Sequence, residues 1–145
     1  PLSEFVSYYD SLGGRPCLKE FDPEQLTKFG RYIEPFHYVM DIDLRTKDNE
    51  FSKFKYIRGG DRQPTVSPED HRQDLTLGTH PYKPLADELA TRLGLISLTH
   101  RPCYQRGQLC RNGKAWTYES VSVPLFDSLG NCIQALMVFH SAENY

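Results

Sequence analysis

The chain has 145 residues, one domain's worth, and its 17 Lys+Arg against 19 Asp+Glu leave a net charge of −2 with neutral histidines. That balance argues against a general binder of nucleic acid or anionic membrane. The longest apolar run, Ala135-Leu136-Met137-Val138-Phe139, falls far short of the roughly 20 residues of a spanning helix. Only 39% of residues are hydrophobic, but 9 Tyr, 8 Phe and 1 Trp bring enough buriable area for a real core.

From the N-terminus, Ser3 can cap a helix whose Phe5, Tyr8, Tyr9 and Leu12 recur at helical spacing before Gly13-Gly14 stops it. Asp22-Pro23-Glu24-Gln25 opens a second short helix, with Leu26 and Phe29 on one face and Gly30 at its end. From Phe36 to Leu44 the period changes to two, which predicts a strand. Thr46-Lys47-Asp48-Asn49 reads as a turn of a four- to six-residue hairpin loop, and Phe51 to Arg58 as the returning strand, broken by Gly59-Gly60. Asp61 to Thr79 is polar and turn-rich, with one capped helical turn at Ser67-Pro68-Glu69-Asp70.

The clearest helix spans Pro81 to Leu93, with Tyr82, Leu85, Ala86, Leu89, Ala90 and Leu93 on its apolar face and Gly94 as a stop. Three strands follow, Pro102–Cys110, Ala115–Phe126 and Asn131–His140, joined by turns at Asn112-Gly113 and at Asp127–Asn131. The expected fold is α+β: five antiparallel strands with helices inserted between the second and third, over residues 35–145, preceded by an N-terminal helical extension over 1–34. The last strand alternates Ile133, Ala135, Met137 and Phe139 with Leu136 and Val138, so both its faces need cover.

Signatures of chemistry are sparse. Cys17, Cys103, Cys110 and Cys132 form no C-x-x-C pair, and the five histidines form no H-x-x-x-H run; we expect reduced thiols, no metal and, with no apolar leader in Pro1 to Leu12, a cytoplasmic protein. There is no G-x-S-x-G elbow, no P-loop and no G-x-G-x-x-G turn. His37 with Asp41 or Asp43 could serve a small cone-shaped isomerase or hydrolase. Arg101, Arg106, Arg111 and Lys114, with Tyr104 and Trp116 between them, form the one basic aromatic cluster, but the negative net charge argues for a solvated hairpin rather than a nucleic-acid surface.

Several stretches resemble a bacterial family of PAS-like proteins related to motility regulators. These are Phe5 to Arg15 with its G-R turn, Phe21-Asp22-Pro23 through Leu26, Phe51 to Gly59, Asp74-Leu75-Thr76, and Tyr118-Glu119 followed by Pro124-Leu125 and Gly130. The resemblance implies a PAS-like fold and a noncatalytic sensory or interaction module binding a small molecule, a protein partner or both. It carries no haem or flavin signature, since Asn131-Cys132 opens a strand. Candidate ligand-binding residues are Tyr56, Arg58, Tyr104, Trp116 and Tyr118, which combine stacking surface with donors. PAS relatives often pair through an N-terminal helix, so Phe5, Tyr8, Tyr9 and Leu12 are the candidate interface of a homodimer.

Overall fold

A computed structural model of the chain describes residues 2–21, 37–46, 50–59, 76, 83–111 and 113–141. Helix α1 covers Leu2–Ser11, followed by a 3-10 turn at Leu18–Phe21; β1 is His37–Asp41, β2 Lys55–Gly59, helix α2 Lys83–Thr99, β3 Cys103–Arg111, β4 Lys114–Phe126 and β5 Cys132–Ser141. The strands form one antiparallel sheet in the order β2-β1-β5-β4-β3. The helix expected over Asp22–Gly30 and the capped turn at Ser67–Asp70 lie outside the described residues. No helix among the described residues is long and apolar enough to cross a membrane.

β5, the last strand in sequence, lies at the sheet's centre between β1 and β4, and its alternation divides the core in two. On the inner face Ala135, Met137 and Phe139 join Met40, Ile42, Phe54 and Tyr118 beneath Leu89, Leu93 and Ile96 of α2. On the outer face Leu136 and Val138 join Val39, Val121, Val123 and Leu125 beneath Leu2, Phe5, Tyr9 and Phe21. Phe21 meets three rings of α1, with centroids 5.8 Å from Phe5, 5.7 Å from Tyr8 and 6.1 Å from Tyr9. The Tyr9 hydroxyl, buried, donates to the Pro124 carbonyl at 2.9 Å and fixes α1 against β4.

Three sequence expectations change, each for a local physical reason. β1 ends at Asp41 rather than Leu44, because the Asp41 carboxylate accepts the Asp43 N–H and the Asp43 carboxylate accepts the Arg45 N–H, turning the chain out of the ladder. The return strand starts at Lys55 rather than Phe51; Phe51–Lys53 is a 3-10 turn, so Asp41 pairs with Lys55 across a loop longer than expected, and Gly59, paired with Tyr38, is the strand's last residue. Finally, α2 does not stop at Gly94 but runs on to Thr99. It ends at His100, whose φ of 58° and N–H bond to the Ile96 carbonyl at 2.8 Å make a left-handed C-terminal cap. The His100 ring meets Phe126 edge-on at 5.7 Å.

The two ends of the described chain are tied at the β4–β5 turn. Arg15 donates to the Gly130 carbonyl at 3.0 Å and lies over the Phe126 ring, and the Phe126 N–H donates to the Pro16 carbonyl at 2.9 Å. Gly13 and Gly14, both at positive φ, turn the chain from α1 towards this point. Within the turn the Asp127 carboxylate accepts the Asn131 amide and the Leu129 and Asn131 N–H groups, which holds its carboxyl below the usual range. A depressed native pKa contributes stability above the unfolded value of about 4, and that stability fades as pH falls through the native value. Asp127→Ala is therefore expected to lower the melting temperature at pH 7, with the difference from wild type shrinking as melts are repeated below pH 4.

Candidate functional site

The sheet register decides which candidate residues meet. Tyr118 lies on the inner face, 2% exposed, with its ring 5.7 Å from Phe139. Its β3 neighbour is Gly107, and a Cβ there would stand 3.1 Å from the Tyr118 hydroxyl, so the glycine makes room for the ring. Tyr104 pairs with Val121, which belongs to the outer core, and is 58% exposed. Tyr104 and Tyr118 thus occupy opposite faces and cannot line one pocket. Tyr56 and Arg58 sit on β2, opposite Met40 and Val39; that edge is four strand spacings from β3, roughly 19 Å. Trp116 pairs with Leu109. The side chains of Tyr56, Arg58 and Trp116 lie outside the described residues.

What the inner face does bring together is a polar cluster that the aromatic list missed. Arg92 of α2 is 6% exposed, and Ser120 and Ser122 of β4 are fully buried. The Arg92 Nη1 group donates to Ser120 Oγ at 3.3 Å, and Nη2 lies 3.3 Å from Glu88 Oε1 one helical turn away. Gln105 stands directly across from Ser120, and Cys103 from Ser122. Arg92 Nη2, Gln105 Oε1 and Ser122 Oγ are buried with no hydrogen-bond partner among the described residues. Burial and the Glu88 carboxylate push the Tyr118 hydroxyl up, with Arg92 opposing, so the phenol shares this electrostatic neighbourhood. The sequence carried a signal: Arg92 follows Leu89 by three and precedes Ile96 by four, which puts a cation in the apolar stripe.

The outer face carries the second feature. A groove of about 550 Å³ runs between α1 and the sheet, lined by Leu2, Ser3, Val6, Tyr104, Val121 and His140 among others. At its rim the Glu119 carboxylate accepts from the Tyr104 hydroxyl and pushes that hydroxyl's pKa up. Burial pushes His140 below its ordinary value. Of the residues expected at an interface between copies, Phe5 and Tyr9 are 0% and 3% exposed inside their own chain. Tyr8 and Leu12 are half-buried.

His37 and Asp41 open and close β1, about 13 Å apart along the strand. The Asp43 carboxylate forms a two-point ion pair with Arg45, at 2.9 and 2.8 Å. Cys17, Cys103 and Cys132 are free thiols, and burial, with help from Asp43, pushes Cys132 up to about 11, so at neutral pH it is a thiol rather than a nucleophilic thiolate. Among the described residues no group of three or more His, Cys, Asp or Glu could hold a metal.

No family profile and no curated protein matches the chain. Among solved structures, the PAS domain of BvgS from Bordetella pertussis superposes with a TM-score of 0.52 at 15% identity, covering 83% of each chain. A sensory box sensor histidine kinase from Vibrio cholerae gives a TM-score of 0.52 at 9% identity, covering 82% of this chain and 87% of that one. The α+β sheet with its flanking helices is a PAS-like fold.

Proposed function

We propose that the chain is a noncatalytic sensory module of the PAS type, taking a small molecule on the inner face and passing the response through the outer face to a second copy of itself. The observation that carries this reading is the central β5 strand. Its alternate residues belong to two separate cores, so a shift of the strand felt beneath α2 is felt at the same moment beneath α1. The fold likeness to sensor-kinase domains agrees with it.

The second copy would dock on the groove rather than on the Phe5–Tyr9 stripe, because those rings already fill this chain's own core. Val6 and Tyr104 line the groove; Tyr104 is exposed, and Val6, half-buried, borders the outer core without belonging to its buried centre. Light scattering of the wild type is expected to give twice the 16.8 kDa of one chain, and Val6→Glu and Tyr104→Ala should restore the single mass by charging or stripping the contact. A wild type that stays single at high concentration, or variants that stay paired, would reject the pairing. Removing residues 1–14 is a poor substitute, since it strips Leu2, Phe5 and Tyr9 from the core.

A further inference from the structure

The inner-face polar cluster is a site in want of a partner. A buried polar atom left without a hydrogen bond forfeits its hydration with nothing in return, and an incompletely paired buried cation forfeits more. Yet among the described residues Gln105 Oε1 and Ser122 Oγ, from β3 and β4, have no hydrogen-bond partner, and Arg92 Nη2, from α2, has only the 3.3 Å ion pair with Glu88. The sheet holds Gln105 and Ser122 close together. Ser120 and Ser122 share a face, about 6.6 Å apart along β4, and Gln105 lies directly across from Ser120, with Cβ atoms about 5 Å apart. Arg92 reaches down onto Ser120, so the residues that carry the three atoms are all neighbours of Ser120 on the inner face.

Their chemistry defines what would satisfy them. The guanidinium offers donors and a positive charge, which selects an anion and best of all a carboxylate. The Ser122 hydroxyl can donate to a second oxygen. The Gln105 Oε1 atom needs a donor, which a bare carboxylate lacks and a hydroxyl group has. Glu88, its side chain 46% exposed, supplies only a loose ion pair at the solvent end of the cluster. We infer that the cluster of Arg92, Ser120, Ser122 and Gln105 binds a small hydroxycarboxylate, its carboxylate on Arg92 and Ser122 and its hydroxyl on Gln105. This inference rests on the inner face being the ligand side of the module.

The test is thermal unfolding in chloride-free buffer with glycolate, acetate or inorganic phosphate as probes, with light scattering on the same samples. At a hundredfold excess over its Kd, glycolate is expected to raise the wild-type midpoint by about 5 °C or more, with acetate weaker by about tenfold in affinity. Arg92→Met should abolish the shift while leaving the unliganded midpoint equal or higher, because a well-packed apolar side chain relieves the desolvated charge. Should that variant fail to fold, Ser122→Ala and Gln105→Leu carry the test, each weakening glycolate about tenfold. No shift in the wild type, a shift that survives these substitutions, or equal responses to acetate and glycolate would overturn the assignment. Loss of pairing in Val6→Glu together with no glycolate response would sink this site and leave the module's pairing intact.

Discussion

Replacing Phe5 by Ala is expected to destabilise the fold by about 3–5 kcal/mol. The side chain is fully buried, against Phe21 and the outer face of β4 and β5, and its loss leaves a cavity that a helix already fixed by the Tyr9–Pro124 hydrogen bond cannot close. For a domain of this size the midpoint should fall by roughly 10 °C, a large share of the 5–15 kcal/mol typical of native stability. Circular dichroism melts would measure it, with Tyr8→Ala, only half-buried, as the milder control. A fall of less than about 1 kcal/mol would mean that α1 does not belong to the core of its own chain.

Gly94→Leu is the second large effect. Glycine inside a helix ordinarily weakens it by about 1 kcal/mol relative to alanine, so a larger residue should help an unobstructed α2. Here a Cβ at position 94 would stand 2.5 to 2.8 Å from three atoms of the Phe51 ring, and that ring also packs on Phe54 at 5.5 Å. The expected cost is about 3 kcal/mol, read as a lower urea midpoint, with Gly94→Ala showing a smaller loss. Adding Phe51→Ala to Gly94→Leu should cost less than the sum of the two single changes, because the obstruction is removed. A stabilised Gly94→Ala would show that Phe51 is not seated on the helix.

The same glycine explains part of what the sequence concealed. Read locally, Gly94 after an apolar period marks a helix end; its actual reason is a ring from a segment more than forty residues earlier, and no local pattern contains that ring. The opposite holds for the three C-terminal strands and for α1, where alternation, a tight turn and paired glycines are local causes with local effects. Between these lies the candidate site. Tyr104 and Tyr118 look alike as aromatic donors, but their faces follow from the pairing of Gly107 with Tyr118 and Val121 with Tyr104, and a one-residue slip of β3 against β4 would put both on the same face. Arg92 was legible in principle, as a cation in an apolar stripe. Its partners Ser120, Ser122 and Gln105 acquire meaning only once β3 and β4 are paired beneath it.

The central place of β5 also shapes how the chain comes to be folded. Neither the outer core beneath α1 nor the inner core beneath α2 has its middle until residues 132–141 exist, and Arg15 finds the Gly130 carbonyl across 115 positions of sequence. At ribosomal speeds of about 5–20 residues per second, the rings of α1 wait on the order of ten seconds, exposed, for the strands that will cover them. Contacts of such long range fold slowly. The domain's stability therefore arrives almost at once, with its last strand.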